Sequence, residues 1–264
     1  MIFQLYIDQL SQPLRQPAFL TFSPLYVKKI RTSSPVATRN SSSSFSLSLA
    51  HSFSEPQRII MSVVEINRFT ILDASIADPK NILSICKDTK QADGCQKIYY
   101  GIQYEESVMH LIVVWESVDH YKAFIGDNSK TVHLPIMSGL AEFGKSTHEI
   151  LHVDFTLDPV PLLQAPITEF TYITLKPNVA VQDFAELMDL VVEKSKGFIE
   201  GLGTSWGRTL EHENLFVLLM GWYSYADHMK NIAENEDQKV LTPRLLELGD
   251  FTLTHVELTE FHEI

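Results

Sequence analysis

The sequence predicts an α+β fold built from two tandem βαββαβ units that close on one another. Three observations carry that expectation. The segment Val63–Phe155 is followed by Ile167–Phe261, which repeats its pattern in the same order. Each segment holds four strand-like runs rich in β-branched and aromatic residues. A four-stranded sheet with helices on one face leaves its other face bare, and a second copy in the same chain can cover it.

The matched blocks establish the duplication. Glu65–Ile71 lies over Glu169–Leu175, Tyr100-Gly101 over Trp206-Gly207, and Leu111–Ser117 over Leu218–Ser224. Thr131–Pro135 lies over Lys239–Pro243, and Leu151–Phe155 over Thr254–Leu258. A repeat of this length is too long for a solenoid unit.

The elements follow in order. The opening strands are Val63–Leu72 and Ile167–Leu175. A helix follows in each copy. At Val181–Lys196 it has Phe184, Leu187, Met188 and Val191 at helical spacing. In the first copy it begins at Pro79, with Asp78 as N-cap. The second strands are Ile98–Tyr104 and Thr204–Leu210, and the third are Met109–Trp115 and Leu215–Trp222. Two short helices come next, Val118–Ile125 with Val132–Phe143 and Tyr225–Ala233 with Lys239–Leu246. Strands Glu149–Phe155 and Phe251–Leu258 close the copies. This order is the split βαβ, or ferredoxin-like, motif. The expected divisions are a leader at 1–60, repeat 1 at 61–157, a Pro-rich linker at 158–166 and repeat 2 at 167–264. Pro159, Pro161 and Pro166 are expected to keep the linker extended.

The leader differs in kind. It carries six Lys/Arg against Asp8 and Glu55, so its +4 leaves −16 of the chain's −12 total for Met61–Ile264. It reads as a disordered tail, as sequence ahead of a start at Met61, or as an organellar transit peptide. The expected compartment is the cytoplasm, or mitochondria if the leader is a transit peptide.

The acidic body argues against nucleic acid, because phosphate contacts need clustered Lys/Arg. No apolar run approaches the roughly 18 residues of a membrane span. Cys86 and Cys95 read as free thiols. No CxxC, HExxH, GxGxxG or P-loop is present, so no cofactor is expected on motif grounds.

The strand-end Trp115-Glu116-Ser117 leading into Val118–Phe124, and Trp222-Tyr223-Ser224 leading into His228, carry a resemblance. With the element order, each copy resembles the dimeric α+β barrel superfamily, and most its antibiotic-biosynthesis monooxygenase (ABM) branch. The resemblance covers about Val63–Ile264 and implies a pseudo-dimer within one chain, with a further homodimer as an option. It implies a cofactor-independent oxidoreductase, of monooxygenase or cyclase type, acting on a small aromatic or polyketide-like compound. The alternatives are a noncatalytic ligand-binding or stress-related barrel, and a haem-degrading enzyme.

The haem-degrading members place an Asn on the first strand, a Trp on a helix and a His farther along. Here Asn67 lies in the matching strand, His133 lies close to the family's His, and Phe124 stands where the Trp is expected. Repeat 2 has Thr171 and Leu241 at the matched positions. The expected catalytic pair is therefore Asn67 and His133, in the repeat-1 cleft. Tyr100, Tyr104, Trp115, Phe124 and His152 are the expected substrate-binding residues. Strand alternation places His152 on the face away from Phe155, read as the face between the repeats. There it would be a general base or an interface histidine. His110, His120, His148, His212, His228 and His262 are expected on exposed turns or helix faces.

Overall fold

The computed structural model describes residues 62–70, 79–128, 148–198 and 201–263. Eight long strands form in chain order. These are β1 (Val63–Thr70), β2 (Cys95–Ile102), β3 (Val108–Trp115), β4 (His148–Phe155), β5 (Ile167–Leu175), β6 (Gly201–Thr209), β7 (Leu215–Trp222) and β8 (Gly249–Val256), and a short β9 (Thr259–Glu260) follows. The helices are α1 (Pro79–Lys90), α2 (Val118–Asn128), α3 (Val160–Leu163), α4 (Val181–Ser195), α5 (Tyr225–Glu234) and α6 (Glu236–Leu248). The sheet order is β8-β5-β7-β6-β4-β1-β3-β2-β9. Each copy thus has its first strand between its fourth and third, with the second at the edge, as the split βαβ motif requires.

Two seams join the copies into a barrel. At one, β4 pairs antiparallel with β6, Phe155 opposite Gly207. At the other, Gln103 bridges Val256, and the Tyr104 N–H donates to the His255 carbonyl at 2.9 Å. A glycine stands at each seam. A Cβ on Gly207 would lie 2.4 Å from the Asp154 carbonyl oxygen, and one on Gly101 would lie 2.2 Å from that of Glu257. Backbones meet there at a distance that admits no side chain. This is the physical reason for the matched Tyr100-Gly101 and Trp206-Gly207.

Three apolar layers result. Val64, Ile66, Ile112, Val114, Leu151, Val153, Phe155, Phe170, Val217, Leu219 and Val256 fill the barrel. Outside it, α1 and α2 cover the first sheet, where Trp115, Phe69 and Leu111 meet Ile82, Ile85 and Phe124. On the second sheet Phe184, Leu187, Met188 and Val191 of α4 are buried, the helical stripe predicted from their spacing. Burying each such side chain stabilises by about 1.5–3 kcal/mol.

The linker departs from expectation. Val160–Leu163 forms a helical turn, and Leu162 and Leu163 insert into the barrel core. Pro161 is accommodated because the first turn of a helix has no use for that N–H. Burial of two leucines outweighs the local preference for extended chain. The C-terminal tail was also not foreseen. Strand β9 pairs with β2, and Phe261 packs on the first copy's helix layer. Among the described residues no helix is long and apolar enough to cross a membrane.

Candidate functional site

In β1 and β4, Glu65 stands directly opposite His152. Residues opposed in an antiparallel pair share a face. The alternate residues Val64, Ile66, Leu151, Val153 and Phe155 fill the barrel. Glu65, Asn67 and His152 therefore look outward, under the helices. This corrects the expectation that His152 turns toward the face between the repeats. The alternation was right, but it is the Phe155 set that meets the other copy.

A buried carboxylate organises this face. Trp115 Nε1 donates to Glu65 Oε2 at 2.7 Å, and Asn67 Nδ2 donates to Glu65 Oε1 at 2.8 Å. Repeat 2 reproduces the arrangement. Trp222 Nε1 donates to Glu169 Oε2 at 2.8 Å, and Thr171 Oγ1 donates to Glu169 Oε1 at 2.8 Å. Asn67 and Thr171 differ in type but donate the same bond, and a carboxylate so held tolerates burial.

Above each carboxylate stands a histidine whose partner belongs to the other copy. His152 Nδ1 lies 2.5 Å from Glu211 Oε1, and its backbone N–H donates to Glu211 Oε2 at 3.0 Å. His255 Nδ1 lies 2.6 Å from Glu105 Oε1, and its backbone N–H reaches the same carboxylate. Burial works to raise the Glu211 carboxyl, but the bonds from His152 prevail and hold it below its ordinary value.

The two copies then diverge. In repeat 2 the second ring nitrogen of His255 is engaged, with Nε2 lying 2.6 Å from His228 Nδ1. In repeat 1 the position of His228 is taken by Tyr121, whose ring centroid is 3.8 Å from that of His152. His152 Nε2 is buried and has no hydrogen-bond partner. A neutral His152 that donates Nδ1–H to this carboxylate leaves its lone pair on Nε2, the form a general base requires. Burial, then Glu65 and Glu211, push the Tyr121 hydroxyl above the ordinary phenol value. Burial holds His228 down at about 4.

The remaining expected residues divide. Trp115 is fully buried, with Phe124 and Tyr121 at centroid distances of 5.3 and 6.0 Å. Tyr100 packs on the same layer. Asn67, Trp115, Phe124, Tyr100 and His152 thus share the helix-covered face of repeat 1. Tyr104 does not join them. It is exposed and stacks on Tyr225, 6.0 Å away, at the second copy. His133 lies outside the described residues.

Sequence reasoning missed Tyr121, Glu105, Glu211 and His228. His228 and His110 are not on exposed faces but are 1 % and 0 % exposed. Counting from the strand-end tryptophans, His120 corresponds to Asp227, and each contacts the serine that precedes its helix, Ser117 and Ser224. The two glutamates carried a usable signal, each five residues after its matched aromatic, Tyr100 or Trp206. Cys86 and Cys95 are free thiols that burial pushes to about 12 and about 11, which keeps them in the thiol form at neutral pH. Among the described residues, Glu169, His228 and His255 bring ligand atoms within 4.8 Å of one another, close enough to hold a metal ion.

No family model matches the chain, and no curated protein matches it. Solved structures do. An anthrone oxidase-like protein superposes with a TM-score of 0.56 at 13 % identity, covering 76 % of this chain and 94 % of its own. A protein of Fusobacterium nucleatum, provisionally termed a monooxygenase, superposes with a TM-score of 0.55 at 10 % identity, covering 77 % and 99 %. One of Lactobacillus acidophilus, provisionally termed the same, gives 0.52 at 8 % identity, covering 76 % and 95 %. At such identities the likeness is one of fold alone, and that fold is the α+β barrel described above.

Proposed function

We propose that the chain is an ABM-type monooxygenase acting on an aromatic or polyketide-like compound in the repeat-1 cleft, with His152 as its base and no cofactor in that cleft. One observation carries this reading. His152 has Nδ1 fixed by Glu211 at 2.5 Å while its buried Nε2 is without a partner. A base held by a carboxylate on one nitrogen and presenting the other is the arrangement general-base catalysis needs.

The chemistry follows from that nitrogen. A C–H flanked by carbonyl and aryl groups is acidic because its carbanion is delocalised. His152 Nε2 takes that proton, and the carbanion, once formed, gives electrons to dioxygen. The resulting hydroperoxide loses water, so a CH2 becomes a carbonyl and one dioxygen yields one water. The substrate supplies all the electrons. Glu211 stabilises the imidazolium that forms. Asn67 acts as a positioning residue, because its amide holds Glu65 and Glu65 holds Trp115. The sequence expectation for the proton-transferring role was His133, and here His152 takes that role.

The second reading, a binding barrel without chemistry, draws on the close packing of Trp115, Tyr121 and Phe124. No step is routed through haem, since Phe124 stands in place of the expected Trp and packs against Trp115. Incubation with anthrone- and hydroquinone-type compounds under air, followed by an oxygen electrode and mass spectrometry, separates the readings. The proposal expects oxygen uptake matched by a carbonyl product. Retained ligand with no uptake favours the binding barrel.

A further inference from the structure

We propose that Glu169, His228 and His255 form a binding site for a divalent transition-metal ion of the zinc class. The inference does not rest on the chemistry assigned to repeat 1.

The three side chains come from β5, α5 and β8 and are 3 %, 1 % and 1 % exposed. One ligand atom from each lies within 4.8 Å of the others. Two imidazoles and a carboxylate are a donor set suited to zinc and its neighbours. Metal–ligand bonds of about 2.0–2.2 Å require these atoms to draw in to roughly 3–3.5 Å of one another. His228 Nε2 and Glu169 Oε2 already stand 3.3 Å apart.

Hydrogen counting points the same way. Glu169, His228, His255 and Glu105 form a row with three contacts, of 3.3, 2.6 and 2.6 Å. A carboxylate only accepts, and a neutral imidazole brings one N–H. Two neutral imidazoles therefore supply two protons for three contacts. Wherever the tautomers place them, one contact sets two electron-rich atoms face to face. That contact calls for a cation.

The site also has the outer shell that metal ligands use. Glu105 holds the far nitrogen of His255, and Trp222 and Thr171 hold both oxygens of Glu169. Such partners fix ligand orientation and are worth about 10–100-fold in metal affinity. Repeat 1 lacks the set because Tyr121 stands where His228 would be, so the site belongs to repeat 2 alone.

The test uses the untagged full chain, stripped with a chelator and dialysed. Zn2+ is titrated by calorimetry, and Co2+ is followed by visible ligand-field absorption. The proposal expects one equivalent per chain, with Co2+ bands of a low-coordinate nitrogen–oxygen site. His228→Tyr installs the residue that repeat 1 tolerates there and should weaken binding at least 100-fold. Glu105→Gln should weaken it about 10–100-fold. Glu169→Gln is the second ligand variant should His228→Tyr fail to give the native circular dichroism. No saturable binding to the wild-type chain overturns the proposal, as does an affinity unchanged by a folded ligand variant. The first outcome leaves a shared proton as the cation of the row. The second places the metal on surface histidines such as His120.

Discussion

His152 of the first copy is held by Glu211 of the second, with Nδ1 and Oε1 2.5 Å apart across 59 residues of sequence. His255 and Glu105 mirror the contact across 150 residues, at 2.6 Å. Each histidine is thus oriented by a carboxylate from the other copy. A single copy would carry the histidine without its partner, which explains why the sites need both copies in one barrel.

The Glu211 contact has a pH signature. Its folded pKa is depressed, so its contribution to stability is present above the ordinary carboxylate value and is lost as pH falls through the folded value. Glu211→Gln should lower the melting temperature at neutral pH, and the gap from wild type should close on acidification. A gap that is constant with pH counts against the ionised contact.

His110 should show the opposite preference for charge. It lies in the barrel, its two ring nitrogens have no hydrogen-bond partner, and burial, with Arg68 nearby, holds it at about 3. The unfolded chain takes up the proton near the ordinary histidine value of about 6.5. Stability should therefore fall as pH drops below that value and continue to fall toward about 3. His110→Leu should flatten this part of the melting profile, because the leucine takes up no proton in the unfolded chain. Equal acid sensitivity of variant and wild type would refute it.

The seam glycines should resist substitution. Gly207→Ala places a Cβ 2.4 Å from a backbone oxygen, where no flexible side chain can give way. Displacing β4 from β6 should cost about 1–3 kcal/mol. Gly126→Ala is the control, because nothing lies within 4 Å of its Cβ. Chemical denaturation should separate the two, and indistinguishable midpoints would contradict the seam geometry.

Much of the fold was legible because strand alternation and helical spacing are local. The α4 stripe and the matched Gly101 and Gly207 could be read directly. The direction in which His152 faces could not. The outer face of β4 carries the buried His152 beside the half-buried Ile150 and the exposed Asp154, so the placement of a lone polar histidine on it is not marked by its own polarity. Alternation shows which residues share a side, not which side meets the partner. A buried histidine such as His228 also looks like an exposed one in sequence. Glu105 and Glu211 lie in acidic turns, and their reach into the other copy depends on long-range packing. Leu162 and Leu163 were obscured by prolines that, at the start of a helix, are compatible with it.

The buried carboxylate in repeat 1 should matter more for stability than for charge. Glu65→Gln keeps an acceptor for Trp115 Nε1, now 2.7 Å from Glu65 Oε2. Glu65→Leu removes it and should cost about 1–3 kcal/mol for the unpaired indole N–H. Tryptophan fluorescence during denaturation reads both, and a leucine variant as stable as wild type would show that the bond contributes nothing.

The most direct test of the account is the turnover number of His152→Gln on a substrate that wild type oxidises, measured by oxygen uptake over a range of pH. The account predicts a loss of about 10²–10⁴-fold, well beyond any effect of the lost Glu211 contact on melting temperature, with the native circular dichroism retained and loss of the acidic limb of the pH profile. A rate within a few-fold of wild type, with the same limb retained, would contradict His152 as the base.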